Sequence, residues 1–138
     1  MKKLAKETCK TIELSTLDKD QLILLEQIPG SEDISLYSRV GSIFPYFHAV
    51  SVGKVYLSLM SKKKRFNVLK KIGLPSVTEH TITEMEVLEK EIRKIKKCGY
   101  GFEDQELREG VRRVAAPIFN AEGHHIGSIR SLRYHFQF

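Results

Sequence analysis

The residues with the clearest chemical potential are three acids that precede a glycine in the last third of the chain. Glu103, Asp104 and Glu106 lie close together, and Gly110 follows them. Carboxylates in such a turn could accept hydrogen bonds from a ligand hydroxyl, or they could bind backbone donors and arginines for structural reasons alone. We favour the structural role for Asp104 and Glu106.

The segment from Ser51 to Lys54 is a second candidate, because apolar residues recur at helical spacing from this point, with Ser51 as a plausible N-cap. The first turn of a helix has free N–H groups and about half a positive charge, so it can bind an anion. Lys54 would oppose the helix dipole, which favours an anionic ligand nearby. An ordinary helix start with a solvated lysine is the alternative that the residues alone favour.

Arg113 is a third candidate, because strand alternation places it on the same face as four apolar residues. These residues are Val111, Ala115, Pro117 and Phe119. A guanidinium on such a face must pair with a carboxylate or meet water in a cavity. Two alternatives stay open. Arg113 pairs with Glu103 or another acid and partly fills a pocket, or it binds a ligand carboxylate or phosphate in bidentate fashion.

The hairpin that would position these groups is read from two strand-like segments joined by a turn. Residues 111–119 and 125–132 have β character, and residues 120–123 form the turn between them. We expect this hairpin to form the floor and one wall of a small-molecule pocket.

Hydrophobic periodicity predicts the remaining elements. They are helices at 3–10, 62–72 and 84–98 and strands at 12–17, 21–28 and 34–40. The first strand should be half buried, with Ile12 and Leu14 on the opposite side from the intervening polar residues, and the second should be covered on both faces. Thr83 and Glu86 form a capping box for the last helix. Strands, then helices, then strands predict an α+β fold, an antiparallel sheet with helices packed on it.

Length and composition fit one soluble domain, which we expect to span residues 1–138. No apolar run approaches the roughly 20 residues needed to cross a bilayer, and no signal peptide opens the chain. We therefore expect a cytoplasmic location and no membrane partner. Cys9 and Cys98 are far apart in sequence and imply neither a disulfide framework nor a zinc site.

The net charge of +6 raises the question of nucleic-acid binding. Much of the charge lies in two clusters on predicted helices, which lack the interleaved aromatic residues of a base-stacking surface. The clusters are Lys62, Lys63, Lys64, Arg65, Lys70 and Lys71, and Lys90, Arg93, Lys94, Lys96 and Lys97. We favour solvated helix faces over a contact with DNA.

Catalysis, cofactors and metals are not expected. Cys98 ends a helix, where the dipole disfavours a thiolate. His124 and His125 could bind a metal with Glu122, but adjacent side chains in an extended segment point to opposite faces, so a solvated loop is favoured.

A longer pattern covers the acidic run and the first strand of the hairpin. It consists of Gly99, Tyr100, Asp104, Glu106, Gly110 and the sequence Val-Ala-Ala-Pro-Ile-Phe at 114–119. The pattern resembles the effector-binding domain of the isocitrate-lyase-regulator (IclR) family of bacterial transcription regulators. Upstream landmarks in the family's order are Arg39-Val40-Gly41, Pro45, Gly53-Lys54, Gly73-Leu74 and residues 78–83. The resemblance extends from Leu4 to Ile129 and implies a GAF-like fold.

The resemblance also implies a ligand site. In the family, backbone amides just before the matching Gly-Lys pair hold the carboxylate of a small organic acid, which points to Ser51 and Val52, with Gly53 beside them. Glu103 stands where the family's ligand-contacting aspartate usually lies.

Three further candidate ligand-binding residues lie where the chain departs from the family, namely Arg113, Arg130 and Ser131. Arg113 stands at a position that is usually a small cysteine. Arg130 and Leu132 stand at two pocket serines, unless Ser131 fills one of them after a shift of register. From about residue 130 the chain departs from the family and lacks its final helix. It also begins at the effector domain's first helix, without the winged helix-turn-helix that reads DNA.

The predicted function is therefore that of a sensing and oligomerising domain without enzyme activity. Its expected partners are a small organic acid and further copies of itself in a dimer or tetramer. DNA would be reached only through the winged helix-turn-helix that this chain lacks. The alternative is a purely structural oligomerisation module with a filled pocket.

Overall fold

The computed structural model describes residues 1–31 and 38–134. In this part of the chain it contains four α-helices, one 3₁₀ helix and six β-strands, and the predicted α+β class is confirmed. The elements are α1 (Lys2–Thr8), β1 (Thr11–Asp18), β2 (Gln21–Ile28), β3 (Ile43–Phe44), the 3₁₀ helix (Phe47–Ala49), α2 (Ser51–Leu59), α3 (Lys62–Ile72), α4 (Met85–Cys98), β4 (Gly101–Asp104), β5 (Val111–Phe119) and β6 (His125–Tyr134).

One antiparallel sheet contains all six of these strands, in the order β3-β2-β1-β6-β5-β4. The hairpin of β5 and β6 pairs from Val111 opposite Tyr134 to Phe119 opposite His125. β6 also pairs with β1, so the last strand lies beside the first in the middle of the sheet. Alternate side chains of β1, β5 and β6 therefore share one inner face.

The hydrophobic core packs between this inner face and the helices. Its buried members include Leu22, Phe47, Val52, Val55, Leu57, Leu69, Leu88, Ile92, Ile95 and Ala115. Helix α2 is the most deeply buried element, since every residue from Ser51 to Ser58 is buried. Gly53 permits this packing, because a Cβ at that position would lie 2.3 Å from the carbonyl oxygen of Phe47.

Helices α3 and α4 form where periodicity predicts them. Helix α3 has the predicted bounds and ends at Gly73, which has a positive φ of 78°. Helix α4 begins one residue later than predicted and ends before Gly99, which takes the left-handed conformation. Its buried stripe consists of Leu88, Ile92 and Ile95.

The N-caps predicted for α2 and α4 are wrong. Val50 is the N-cap of α2, because Ser51 is already the first helical residue. Glu84 is the N-cap of α4 and makes no side-chain capping bond, so Thr83 does not open a capping box. Helix α1 is shorter than predicted, because Cys9 takes a left-handed conformation with φ 58°.

The strands also differ from expectation. In β1 the polar side chains of Glu13 and Ser15 are fully buried, and in β2 Leu25 is 45% exposed, so β2 is not covered on both faces. Strand β4 is not predicted, because its four residues overlap the acidic run.

The strand predicted at 34–40 is not observed in the part of that segment that the structure describes. Residues 34–37 lie outside the described residues, and residues 38–40 form no strand. The short strand β3 pairs with β2 instead.

One basic residue is not on a solvated helix face as predicted. Arg65 is only 4% exposed. It donates to both carboxylate oxygens of Glu89 at 2.8 and 3.0 Å, and to the carbonyl oxygens of Leu57 and Met60. Burial is tolerated because almost every donor of the guanidinium has an acceptor.

Within residues 1–31 and 38–134, none of the helices combines the length and the apolar composition that crossing a membrane requires.

Candidate ligand-binding site

A row of buried charged side chains crosses the inner face of the sheet. Glu103 on β4 lies opposite Arg113 on β5, and Arg130 on β6 lies opposite Glu13 on β1. None of the four is more than 5% exposed. Isolated buried charges are strongly unfavourable, so each carboxylate pairs with the guanidinium beside it.

Glu103 connects this row to the start of α2. Its Oε2 accepts a hydrogen bond from the Ser51 backbone N–H at 3.1 Å, and its Oε1 accepts from Arg113 Nη1. A negative charge is favourable at the first turn of a helix, because the dipole is positive there. A carboxylate of the protein itself therefore occupies the Ser51 amide that the family resemblance assigns to a ligand.

Arg113 shows the first of its two predicted alternatives, internal pairing with Glu103. Burial lowers the pKa of the Arg113 guanidinium, the charge of Glu103 opposes this, and the nearby charge of Arg130 lowers the pKa further. The Nε of Arg113 has no hydrogen-bond partner among the described residues. The guanidinium therefore keeps one donor for a further acceptor.

Arg130 is held on two sides. Its Nε donates to Glu13 Oε2, and its guanidinium carbon lies 4.5 Å from the centroid of the Phe44 ring. The second oxygen of Glu13 accepts from Gln27 Nε2 at 2.8 Å. Within residues 1–31 and 38–134 the Nη1 of Arg130 has no partner, so this arginine too keeps a donor group.

Two serine hydroxyls lie beside the charged row. Ser51 adjoins Glu103 through its backbone, and Ser15 shares the inner face of β1 with Glu13, opposite Ser128 on β6. Both serines are fully buried, and neither hydroxyl has a partner in the described part of the chain. Buried hydroxyls of this kind normally bind a water or another polar group.

Lys54 is buried and does not project into solvent. It is 1% exposed, and its Nζ donates to Glu106 Oε2 at 2.7 Å and to the Phe102 carbonyl oxygen at 2.8 Å. Burial raises the pKa of Glu106, although the charge of Lys54 opposes this rise. The anion beside Lys54 is therefore a protein side chain. The interpretation as a solvated lysine is wrong.

Asp104 and Glu106 have the contacts expected of structural residues. Asp104 accepts from Arg112 Nε at 2.7 Å, and this hydrogen bond is the main cause that lowers the pKa of Asp104. Glu106 also accepts the Asp104 backbone N–H at 3.1 Å, while its carbonyl oxygen accepts from the Thr81 hydroxyl at 2.6 Å. These bonds fix the turn before β5.

The other candidates from the sequence lie in two different places. Val52 and Gly53 lie in the first turn of α2 beside Ser51, and the side chain of Val52 is in the core. Ser131 lies opposite Val114, on the other side of the sheet from Arg130. There it lines an open groove of about 340 Å³, so the structure does not bring Ser131 to the charged row.

Sequence reasoning did not identify Glu13 and Ser15 as site residues. Their alternation with Ile12 and Leu14 is typical of a solvent-facing polar side. The charged partner that explains the burial of Glu13 is Arg130, which is 117 positions away in the chain. No local signal connects two residues at such a separation.

His125 is half-buried and not part of a metal cluster. Its ring centroid lies 4.5 Å from that of Tyr56, and burial lowers the pKa of the His125 imidazole. Among the described residues, no group of three histidine, cysteine, aspartate or glutamate side chains is arranged to hold a metal ion.

Two transcriptional regulators of Escherichia coli are among the sequence relatives of the chain. The chain is 31% identical to the HTH-type transcriptional regulator KdgR of Escherichia coli over 123 residues, which cover 89% of this chain and 46% of that protein. It is 27% identical to the transcriptional repressor IclR of the same organism, over 87% of this chain and 44% of the repressor. The chain thus spans about half the length of the curated relatives it matches.

Solved structures share the fold. The C-terminal domain of KdgR from E. coli superposes with a TM-score of 0.84 at 27% identity, covering 100% of this chain and 79% of that one. The inducer-binding domain of PobR from Acinetobacter gives 0.82 at 26% identity, covering 93% of this chain and 75% of that one. The latter structure is a complex of a double mutant with 3-hydroxybenzoic acid.

The fold and these relatives define an effector-binding domain of a bacterial transcription regulator. Residues 1–132 match the family described as bacterial transcriptional regulator IclR C-terminal, and the chain belongs to this family. The family and the relatives are transcriptional regulators and not enzymes.

Proposed function

We propose that residues 1–138 form one domain that binds a small organic acid and assembles into a homo-oligomer, a dimer or a tetramer. The domain would act in the cytoplasm, and DNA would be bound through a winged helix-turn-helix outside these residues. The observation that carries the proposal is the row of buried charges and hydroxyls on the inner face of the sheet, beside the first turn of α2.

The chemistry of this row favours a polar, anionic ligand. Protein cores are apolar unless their polar groups have partners. Here Arg113, Arg130, Ser15 and Ser51 each carry a buried polar atom with no partner in the described part of the chain. Guanidinium groups suit carboxylates in particular, because they offer several donors in one plane.

The PobR structure supports an acid as the class of ligand. A double mutant of that inducer-binding domain forms a complex with 3-hydroxybenzoic acid, a small carboxylic acid with a hydroxyl group. The present chain shares the fold of that domain, and the row of charged side chains gives it groups suited to a similar ligand.

In the proposed mechanism the acid binds between the start of α2 and the hairpin of β5 and β6. A ligand shifts an equilibrium only if it binds one state better than another. The acid would therefore favour one arrangement of the oligomer, and DNA binding elsewhere in the regulator would respond to that arrangement.

One observation favours the alternative, a structural oligomerisation module with a filled pocket. Glu103 already accepts the Ser51 N–H and pairs with Arg113, as a ligand carboxylate would. In such a module the four buried charges would serve only to position β1, β4, β5 and β6.

Thermal and chemical unfolding with a set of small acids separates the two functions. Each acid should be compared with its neutral amide, for example 3-hydroxybenzoate with 3-hydroxybenzamide and glycolate with glycolamide. An acid at 100 times its dissociation constant should add about 2.7 kcal/mol to the free energy of unfolding. Stabilisation by acids and not by amides supports sensing. No change in stability with any of the acids supports the structural module.

Light scattering after gel filtration tests the oligomer. A dimer or tetramer at micromolar concentration agrees with the proposal. A monomer, both with and without the stabilising acid, contradicts the part of the proposal that concerns assembly.

A further inference from the structure

The charged residues at the two ends of helix α4 have opposite signs. Glu84 and Glu86 lie at its N-terminal end, and Lys94 and Lys97 lie near its C-terminal end. These four residues are exposed, and residues 89–93 between them carry charges of both signs. The outer side of α4 is therefore negative at one end and positive at the other.

An apolar groove adjoins the basic end of α4. It has a volume of about 560 Å³, and Ile95, Tyr100 and Phe102 supply apolar surface to it. Lys94 and Lys97 also line this groove. Both aromatic side chains are substantially exposed. Aromatic residues surrounded by a charged rim are typical of the surfaces through which proteins bind one another. We therefore examined what could fill the groove.

Val87 is an exposed apolar residue at the acidic end of the same helix. It lies on the same side of α4 as Glu91, Lys94 and Cys98, because residues three or four positions apart are neighbours on a helix surface. Those three residues line the groove. Val87 is about 12 Å from Ile95 along the helix axis, at 1.5 Å per residue. One side of α4 therefore carries both an apolar projection and an apolar groove.

Such a surface is complementary to itself when two copies meet in antiparallel orientation. A two-fold axis that passes beside Glu91 places Val87 of each copy over the groove at Ile95 of the other copy. Two equal apolar contacts result, one on each side of the axis. Glu91 lies 4.0 Å from the Lys54 Nζ, so a positive charge of its own chain offsets the charge of Glu91 near the axis.

The charges of α4 are complementary in the same orientation. The axis that pairs Val87 with the groove also brings Glu84 and Glu86 of one copy to Lys97 of the other. A parallel orientation would instead place like charges beside each other, which is unfavourable. The helix dipole favours the same order of charges within one helix, but it does not account for the exposed Val87 and the aromatic groove.

We propose that α4 is the surface through which this chain binds a second copy of itself, in antiparallel orientation, with Val87 of each copy in the groove of the other. The inference rests on the assembly that forms part of the proposed function, and it specifies the surface that assembles. Charge pairs at the edge of the interface make the affinity decrease as the salt concentration rises.

Two charge-reversal variants of the full chain test the antiparallel orientation. The first combines Glu84→Lys with Glu86→Lys. The second combines Lys94→Glu with Lys97→Glu. Each variant alone brings like charges together in the pair, so its dissociation constant should rise at least about 10-fold. An equimolar mixture pairs a basic helix with an acidic one and should assemble again. Circular dichroism confirms that each variant is folded, and analytical ultracentrifugation measures the assembly.

The outcomes separate this inference from the proposed function. If the native chain assembles and either variant alone assembles equally well, α4 is not the interface, although the proposed assembly stands. If both variants dissociate and their mixture does not assemble, the antiparallel orientation is wrong. If the native chain is a monomer, both the inference and the proposed assembly fail.

Val87→Ser provides a test that changes no charge. It should raise the dissociation constant about 10-fold, because an apolar contact is lost on each side of the axis. Phe66→Ser on α3 is a matched control, since Phe66 is also an exposed apolar residue of a helix. An unchanged dissociation constant for Val87→Ser, or an equal rise for the control, would contradict the proposed contact.

A disulfide crosslink reports the orientation directly. Residues 84 and 98 of one chain are about 21 Å apart along α4, too far for a disulfide within the chain. In the proposed pair, residue 84 of one copy faces Cys98 of the other. Glu84→Cys in a Cys9→Ser background should therefore give a covalent dimer on oxidation, and adding Cys98→Ser should abolish it. The absence of a covalent dimer, or one that persists without Cys98, would overturn the antiparallel orientation.

Discussion

Glu103 accepts a hydrogen bond from the Ser51 backbone N–H at 3.1 Å, so a side chain of the protein neutralises the positive end of helix α2. Glu103 also pairs with Arg113 across the sheet. The same carboxylate therefore holds β4, β5 and α2 in a fixed relation. Replacing Glu103 alone or together with Arg113 therefore separates two quantities, the free energy of unfolding and the affinity for a ligand.

The first prediction concerns this carboxylate. Glu103→Gln should lower the free energy of unfolding by about 3 kcal/mol, because it leaves Arg113 as an unmatched buried charge. Adding Arg113→Met should recover most of the loss, since the double variant contains neither charge. Urea unfolding of both variants measures the coupling. A double variant that is less stable than Glu103→Gln alone would show that the two side chains do not act as a pair.

A second prediction concerns Arg65, whose guanidinium binds Glu89 and two carbonyl oxygens while it is only 4% exposed. Arg65→Met should destabilise the chain by about 3 kcal/mol, because Glu89 and the carbonyl oxygens lose their donors. The neighbouring Lys64 has a side chain that is 57% exposed and offers a control. Lys64→Met should change the free energy of unfolding by less than about 0.5 kcal/mol. Equal effects of the two substitutions would contradict the buried position of Arg65.

The third prediction is a pH dependence at Glu89. The hydrogen bond from Arg65 is the main cause that lowers the pKa of Glu89 below its ordinary value of 4.5. A lowered pKa means that the pair stabilises the fold fully above 4.5 and that this stability is lost as the pH falls through the lowered pKa. The stability difference between the native chain and Glu89→Gln should therefore shrink as the pH falls below 4.5. A difference that stays constant through acid titration would refute the assignment.

The fourth prediction concerns the close packing of Gly53 against the 3₁₀ helix. Alanine normally favours a helix over glycine by about 1 kcal/mol. A Cβ at Gly53, however, would lie 2.3 Å from the Phe47 carbonyl oxygen, which is backbone and cannot rotate away. Gly53→Ala should therefore destabilise the chain, by about 2 kcal/mol. Leu59→Ala at the exposed end of α2 is a suitable control, and a stabilised Gly53→Ala variant would show that α2 and the 3₁₀ helix are not so close.

Local sequence patterns were sufficient for the elements whose signals are local. Helix α3 ends at Gly73 as predicted, and the hairpin turns between Phe119 and His125, because turn and stop residues act within a few positions. Strand β4 was not predicted, because a strand of four residues has too little alternation to be distinguished from a turn.

The residues of the candidate site also differ in how far local sequence can predict them. Arg113 could be identified, since a guanidinium among apolar residues of a strand demands an explanation. The family resemblance points to Arg130 but not to its partner Glu13, because their contact is made only when the last strand pairs with the first. Glu13 on a strand looks solvent-facing until the opposite arginine is known. Long-range pairing of this kind is a property of the fold and not of any sequence segment.

The most direct test of an acid site on the inner face of the sheet is a crystal structure of the chain with the acid that stabilises it most. We expect a bound acid between the start of α2 and the β5–β6 hairpin, in contact with the row of buried charges. An acid bound in the outer groove beside Ser131 and Val114, or a charged row unchanged at saturating acid, would contradict it.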